Sequence, residues 1–346
     1  MDATDADVIV VGGGVIGTAV AWRAAAVNGT PGDGTPGAGR DVILVDPGDE
    51  SSAASFVAAG MLAPVSESVF GEEDLLALNL LAVDRFPGFV RRVEEASGQR
   101  AGLRAEGTLT VAYDGGDLAA LNRLAEFRRG IGLSAETVSG RECRRLEPFL
   151  ASGVAGGLLA AGDLSVDNRR YLRALRAAAA SAGVRTVRAT ATAIGEGTVT
   201  LTTGEVITAT SVVAAAGWAT SQLDGVPDPV RKAIRPVKGQ ILRLRHPGDL
   251  PPVATRTIRS LVAGHEVYLV PRADGELVVG ATQEERDDTD VTAGAVGDIL
   301  RDATTVLPAA GELVLAEASA GLRPGSTDNG PVVGRAAERL IVAAGH

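Results

Sequence analysis

Three glycines near the N-terminus have the spacing of a phosphate-binding turn. An apolar run at residues 8–11 leads into Gly12, Gly14 and Gly17, and small apolar residues continue to Ala26. In such a turn the first glycine permits the bend, the second lets the backbone approach a pyrophosphate, and the third lets a helix pack on the strand. The N–H groups at the start of that helix hold the phosphate charge. The pattern therefore predicts a dinucleotide-binding strand-turn-helix unit, with the chemistry carried by a bound cofactor.

A carboxylate ends the next apolar run. Residues 42–45 are Val-Ile-Leu-Val and Asp46 follows them, where a carboxylate would bind the ribose of an adenine dinucleotide. Asp46 lies further from Gly17 than the usual spacing of about 20 residues, because a Gly- and Pro-rich stretch occupies residues 28–40. We interpret that stretch as a surface insertion. The alternative for Asp46 is a solvated carboxylate at a strand end.

The composition excludes several classes of partner and site. The formal net charge is −10 and no basic cluster offsets it, which argues against nucleic acid as a partner. Cys143 is the single cysteine and three histidines are scattered along the chain, so we expect no intrachain disulfide, a bystander thiol and no metal. No apolar run reaches the roughly 20 residues that span a bilayer, and the N-terminus is acidic and polar. We therefore expect a cytoplasmic protein that does not contact a membrane.

The hydrophobic periodicity predicts the elements that must position these residues. Helical spacing occurs at residues 72–97, 117–130 and 292–307, and Asp167 or Asn168 is placed to cap a helix that ends near Gly183. Strand patterns occur at residues 107–113 and 211–217, and a set of antiparallel strands is expected between residues 236 and 280.

These elements predict an α/β fold for the dinucleotide-binding part and an α+β arrangement for the chain as a whole. A doubly wound, dinucleotide-binding Rossmann-like domain would carry a second lobe built on an antiparallel sheet. We expect the dinucleotide-binding domain to be discontinuous, with residues 1–85, 151–230 and 308–346, and the substrate domain to comprise residues 86–150 and 231–307.

Five further motifs, in order along the chain, resemble those of the D-amino-acid oxidase superfamily. They are Ala59–Pro64, Pro236–Gln240, Tyr268–Arg272, Val279–Thr282 and Gly321–Pro324. Within that superfamily the chain resembles the glycine oxidases of thiamine biosynthesis, the ThiO type. The resemblance runs from Val8 to His346 and covers nearly the whole chain.

The resemblance implies that the dinucleotide-binding domain is an FAD-binding Rossmann-like domain, that the FAD is non-covalent, and that a set of residues holds it. The cofactor-binding residues it implies are Gly12, Gly14, Val15, Ile16, Gly17, Asp46 and Pro47 for the adenosine and phosphates, Ala54, Ser55, Ala59, Gly60 and Met61 near the isoalloxazine, and Ala191 for a backbone contact to the adenosine. It also implies that Arg323 and Tyr268 bind the substrate carboxylate. Physically, an arginine fork suits a carboxylate and a phenol adds one donor. The alternatives are an inter-lobe arginine and a tyrosine that packs in a strand.

The implied activity is flavin-dependent oxidative deamination of glycine or another small amine, such as sarcosine or a small D-amino acid. The resulting imine would hydrolyse to glyoxylate and ammonia, oxygen would give peroxide, and the product would supply the thiazole branch of thiamine biosynthesis. No protein acid or base is required. The resemblance also implies a homo-oligomer, a tetramer. A related flavin dehydrogenase that uses another acceptor remains an alternative.

Two departures from the family pattern bear on these expectations. Trp218 follows Gly217 directly, whereas the family places one residue between them. The chain stops at His346, where family members continue through a glycine-rich turn and a helix. The second departure leaves open a flavin-binding but inactive, C-terminally truncated form.

Overall fold

A computed structural model describes residues 5–26, 39–48, 53–248 and 251–346 of the chain. Its α-helices are α1 (Val15–Ala26), α2 (Ala54–Val57), α3 (Glu73–Ser97), α4 (Gly115–Gly130), α5 (Gly140–Leu146), α6 (Asn168–Ser181), α7 (Asp228–Ala233) and α8 (Ala293–Val306). Two 3-10 helices lie at Gly217–Gln222 and Pro308–Glu312.

The strands form two large sheets and one small one. In chain order they are β1 (Ala6–Val11), β2 (Val42–Val45), β3 (Met61–Leu62), β4 (Leu103–Arg104), β5 (Thr108–Ala112), β6 (Glu136–Ser139), β7 (Gly156–Ala160), β8 (Leu164–Val166), β9 (Arg185–Val187), β10 (Ala191–Ile194), β11 (Thr198–Leu201), β12 (Val206–Ala214), β13 (Ile234–Arg245), β14 (Thr257–Val262), β15 (His265–Pro271), β16 (Leu277–Gly280), β17 (Val314–Ser326), β18 (Val332–Ala337) and β19 (Leu340–Ala344).

The first sheet has a parallel core in the order β9-β2-β1-β12-β19. Its central strands are continuous apolar runs because helices and strands cover both faces. On one face α1 and α6 lie side by side, and Trp22, Leu175 and the Val90 side chain of α3 share their core. The antiparallel strands β10 and β11 extend β12 at its N-terminal end. This arrangement confirms the Rossmann-like domain.

The second sheet runs in the order β17-β13-β16-β15-β14-β5-β7-β6. Its pairs are antiparallel except β14 with β5, which are parallel. One face packs on α8, where Ile299 and Val306 join Leu242 and Leu269 in an apolar core. The opposite face is turned toward α2 and carries Tyr268 and Ile241. In the small sheet, β8 lies between β4 and β3, the strand that closely follows α2 in the chain.

Most predicted elements are confirmed, with shifts of a few residues at their ends. Helix α3 contains Pro87, as predicted. Helix α4 begins earlier than expected, because the Asp114 carboxylate accepts the Asp117 N–H and caps it. Asp167 rather than Asn168 caps α6.

The sheets do not follow the predicted domain boundaries everywhere. Strands β7 and β17 belong to the second sheet, although their residues were assigned to the FAD-binding domain. Residues 27–38 of the predicted insertion lie outside the described residues. None of the helices in the described ranges is both long enough and apolar enough to cross a membrane.

Candidate active site

The glycine turn joins β1 to α1, and its conformation requires glycine. Gly12 has φ +108°, and a Cβ there would lie 2.4 Å from the carbonyl oxygen of Ala215. A Cβ on Gly17 would lie 1.9 Å from the carbonyl oxygen of Gly12. These distances are shorter than any real contact. A side chain at Gly12 would displace the backbone that follows β12, and one at Gly17 would force β1 and α1 apart.

The backbone just before α1 is left uncovered at Gly14. A Cβ on Gly14 would point at the Ser55 hydroxyl, 3.0 Å away, and the Val15 N–H donates to that hydroxyl at 3.0 Å. Val15, Ile16 and Gly17 form the first turn of α1, whose N–H groups make a helix start suitable for an anion. The open backbone at Gly14 and this helix start fit the diphosphate of a dinucleotide.

Asp46 lies directly after β2, beside the glycine turn. A Cβ on Gly13 would lie 1.8 Å from Oδ2 of Asp46, so the carboxylate covers the turn. Its Oδ1 accepts the Gly48 N–H at 2.6 Å, and Pro47 is exposed. An acceptor at the carboxyl end of β2 is the group that a ribose requires.

Arg176, which sequence reasoning missed, lies beside this carboxylate. Its Nη2 is 3.9 Å from Oδ2 of Asp46 and donates to the Gly13 carbonyl at 2.9 Å. Burial lowers the pKa of Arg176, and Asp46 opposes that shift. Arg188 is also close, because a Cβ on Gly48 would lie 2.1 Å from its Nη1. The arginine-rich composition of α6 was the only signal for Arg176.

The predicted adenosine contact at Ala191 lies at the start of β10, where the residue is buried with Ile43 and Val45. In the same part of the chain, the Val187 carbonyl accepts the Asp46 N–H at 3.0 Å. A contact from Ala191 to the adenosine remains a prediction.

The segment that was expected to face the isoalloxazine lies between the two sheets. Ala54 and Ser55 begin α2, and Gly60 adopts φ +73° where a Cβ would lie 2.1 Å from the Val166 carbonyl oxygen. Ala59 is buried, and Ala59 and Met61 share an apolar cluster with Tyr268. The structure thus brings the predicted flavin residues next to a predicted substrate residue.

Arg323 and Tyr268 meet above two glycines of the second sheet. A Cβ on Gly239 would lie 2.9 Å from Nη2 of Arg323, and a Cβ on Gly280 would lie 2.6 Å from the Tyr268 hydroxyl. On the same face a Cβ on Gly321 would lie 2.9 Å from Cβ of Val57 in α2. The glycines therefore leave room for both polar side chains and for α2.

Burial raises the pKa of the Tyr268 phenol, and the Arg323 guanidinium charge opposes that rise. The phenol therefore stays neutral at physiological pH and keeps its proton as a donor. A guanidinium and a neutral phenol together match the lone pairs of a carboxylate.

A cavity of about 50 Å³ lies behind Tyr268, with Thr110, Arg128 and Arg259 in its lining. Arg259 pairs with Glu67 at 2.5 Å and with Glu266 at 3.2 Å. The sequence patterns did not indicate this charged group, because its members come from separate elements.

Two other residues named from the sequence lie outside this arrangement. Cys143 is buried in α5, and burial raises the pKa of its thiol to about 11, so it stays protonated. Trp218 lies in the 3-10 helix at Gly217–Gln222, and its carbonyl accepts the Ser221 hydroxyl at 2.8 Å.

Comparison with known proteins identifies the family. The family model described as FAD dependent oxidoreductase matches residues 7–346. Glycine oxidase of Geobacillus kaustophilus is 31% identical over 348 residues, which cover 98% of this chain and 87% of that protein. The bifunctional protein ThiO/ThiG of Synechocystis sp. is 34% identical over 352 residues, but the chain spans about half of it, 49%.

The crystal structure of glycine oxidase from Geobacillus kaustophilus superposes with a TM-score of 0.85 at 30% identity, covering 99% of this chain and 89% of that one. The expected resemblance and the expected FAD fold are thereby confirmed. Because the family model matches residues 7–346, the chain belongs to the FAD dependent oxidoreductase family, the D-amino-acid oxidase type.

Proposed function

We propose that this protein uses FAD to oxidise glycine or another small amino acid. The observation that carries the proposal is the meeting of Arg323 and Tyr268 on the sheet face that also packs against Ala59 and Met61. Relatives that cover nearly all of this chain are named glycine oxidase and ThiO/ThiG. A role in supplying the thiazole branch of thiamine biosynthesis is part of the proposal.

Arg323 binds the substrate carboxylate through two parallel N–H bonds, and Tyr268 donates a third. This grip fixes the α-carbon, and such orientation supplies much of the rate enhancement when the reacting atoms are held at near-attack distance. Bound FAD supplies the hydride acceptor. Val57 and Ile241 are nearly inaccessible to solvent and pack with Tyr268 in one apolar cluster. Arg323 is exposed, so a substrate carboxylate can reach it.

The pocket suits a small substrate. Tyr268, Ile241 and Val57 belong to one packed cluster, and the spaces above Gly239 and Gly280 are taken by the side chains of Arg323 and Tyr268. A large α-substituent would have to displace these groups. The preference is therefore for glycine, sarcosine and the smallest D-amino acids.

The electron acceptor in the proposal is oxygen, and the protein acts as a homo-oligomer, a tetramer. The family resemblance supports both statements. Light scattering of the purified protein measures the oligomer, and peroxide formation measures the acceptor.

The test is the visible spectrum of the purified protein before and after glycine is added without oxygen. A flavin spectrum that bleaches, followed by one equivalent of peroxide on admission of air, is expected. A flavin that bleaches without forming peroxide would indicate a dehydrogenase with another acceptor. A flavin that every small amino acid leaves oxidised would overturn the proposal.

A further inference from the structure

The side chain of Asn168 faces the interior at the start of α6 and holds the backbone of α2. Its Nδ2 donates to the carbonyl of Ser55 at 2.9 Å and to the carbonyl of Phe56 at 2.8 Å. Asn168 is 4% exposed. The backbone bonds of α2 end with the Ala58 N–H donated to the Ala54 carbonyl, so the two later carbonyls need donors from outside the helix.

Two buried arginines of the second lobe hold the other end of the same amide. Oδ1 of Asn168 accepts from Nη2 of Arg272 at 3.1 Å and from Nη2 of Arg243 at 3.3 Å. Arg272 also donates to the Ala59 carbonyl at 2.7 Å and to the Val166 carbonyl at 3.2 Å. The three side chains together bind carbonyl groups along the flavin-facing segment, residues 54–61.

The charges determine the orientation of the amide. Arg243 and Arg272 are 2% and 3% exposed. Burial lowers the pKa of Arg272 to about 10, so it remains a cation at neutral pH. Two cations on one side of Asn168 require its oxygen there, and its NH2 group must then face Ser55 and Phe56.

This cluster links the cofactor turn to the substrate strand. Ser55, whose carbonyl Asn168 holds, accepts the Val15 N–H at the start of α1 through its hydroxyl. Arg272 directly follows β15, the strand that carries Tyr268. A displacement of the Asn168 amide would therefore move the flavin-facing segment relative to both the phosphate turn and the substrate tyrosine.

We propose that Asn168, oriented by Arg243 and Arg272, is a positioning residue that sets how the flavin-facing segment lies against the Tyr268 strand. The inference rests on the proposed function, in which residues 54–61 contact the flavin. It assigns Asn168 no contact with substrate and no proton transfer.

The test is Asn168→Asp, which keeps an oxygen for the two arginines and adds a compensating charge, but removes the NH2 group of Asn168. The Ser55 carbonyl then loses this donor, whereas the Phe56 carbonyl keeps the bond from Nε of Arg169 at 3.1 Å. The apoprotein should keep its fold. Its dissociation constant for FAD should rise about tenfold, the effect of losing hydrogen bonds to buried acceptors. The midpoint potential and the visible circular dichroism of bound FAD should change, and kcat should fall while KM for glycine stays near the wild-type value.

Arg170→Ala is the matched control. Arg170 lies two residues after Asn168 in α6 and is more exposed than Asn168. It pairs with Asp167 and Asp274. It has no hydrogen bond to the flavin-facing segment among the described contacts, so FAD affinity, potential and kcat should not change. Asn168→Ala replaces the aspartate variant if that variant does not fold.

The inference is overturned if the aspartate or alanine variant binds FAD with wild-type affinity, potential and circular dichroism. The inference is also overturned if a variant lowers the melting temperature of the apoprotein and leaves those flavin readouts unchanged. That result would show that Asn168 only stabilises the fold. The FAD titration needs no substrate. Failure of wild-type protein to be reduced by glycine would therefore count against the proposed function only.

Discussion

The Arg323 guanidinium and the Tyr268 phenol lie together although two strands, β13 and β16, separate the strands that carry them. They meet because each leans over a glycine, Gly239 below Arg323 and Gly280 below Tyr268. The guanidinium charge is close enough to oppose the rise in the pKa of the phenol that burial causes. Two polar side chains from separate strands thus lie together on one sheet face, as the proposed carboxylate site requires.

Replacement of Arg323 tests the carboxylate grip. Arg323→Lys keeps the charge but loses the fork, and we expect KM for glycine to rise about tenfold or more, the value of a charge-assisted bond. The flavin spectrum should not change. Arg245→Lys, at the exposed end of β13, is the matched control and should leave KM unchanged. An unaltered KM in Arg323→Lys would remove Arg323 from the substrate site.

The open space above Gly280 is required by Tyr268. In Gly280→Ala the new Cβ would approach the Tyr268 hydroxyl and, at 2.9 Å, Cγ2 of Ile241, so the phenol must move. We expect about tenfold weaker glycine binding, equivalent to about 1.4 kcal/mol, measured from how the rate of anaerobic flavin reduction saturates with glycine concentration. Gly297→Ala in α8, where no atom lies within 4 Å of the new Cβ, should bind glycine normally and be slightly more stable. Equal affinity in both variants would contradict the steric argument.

Asp46 should control FAD affinity without affecting the substrate. Asp46→Ala removes the acceptor beside the glycine turn, and we expect the FAD dissociation constant to rise about tenfold. The variant saturated with FAD should keep the wild-type KM for glycine. Asp84→Asn, on the exposed side of α3, is the control. Isothermal titration of each apoprotein with FAD gives its FAD dissociation constant. Wild-type affinity in Asp46→Ala would exclude a role for Asp46 in binding the ribose.

The buried amine of Lys238 makes stability depend on pH through Asp288. Lys238 is inaccessible to solvent and its Nζ lies 2.5 Å from Oδ1 of Asp288. This hydrogen bond lowers the pKa of Asp288 from 3.8 to about 2. Because the folded-state pKa is depressed, the stabilisation is present above about pH 4 and is lost as the pH falls toward 2.

Asp288→Asn should therefore unfold at lower urea concentration than wild type at pH 7, since the buried ammonium loses its charged partner. The difference should shrink as the pH is lowered from 4 toward 2. Asp228→Asn breaks the exposed pair with Lys232 and should change stability little. Urea unfolding at pH 7, 4 and 3 measures all three proteins, and a difference that stays constant with pH would contradict the assignment.

The elements around the cofactor turn could be predicted from the sequence because their signals are local. Gly12, Gly14 and Gly17 follow one apolar strand at a fixed spacing, and a Cβ on Gly17 would collide with the Gly12 carbonyl oxygen of the same strand-turn-helix unit. Asp46 follows an apolar run of its own. The sheet to which the C-terminal strands belong has no such local signal. Strand β17 pairs along nearly all of β13, and this long-range pairing places Arg323 in the second sheet.

The contacts of Asn168 could not be predicted from the sequence. The sequence offered Asp167 or Asn168 as the cap of α6, and the structure selects Asp167. That choice frees the Asn168 amide to contact α2, Arg243 and Arg272, none of which is near it in sequence.

By itself the sequence determined the FAD-binding unit, the family and the two side chains expected to hold a carboxylate, because glycine sterics, apolar periodicity and motif order are properties of the chain. Only the tertiary structure decided that these side chains meet, which glycines make room for them, and which buried cations orient the flavin-facing segment. Those relationships depend on strand register and on packing between the sheets, where each contact joins residues that the chain keeps far apart.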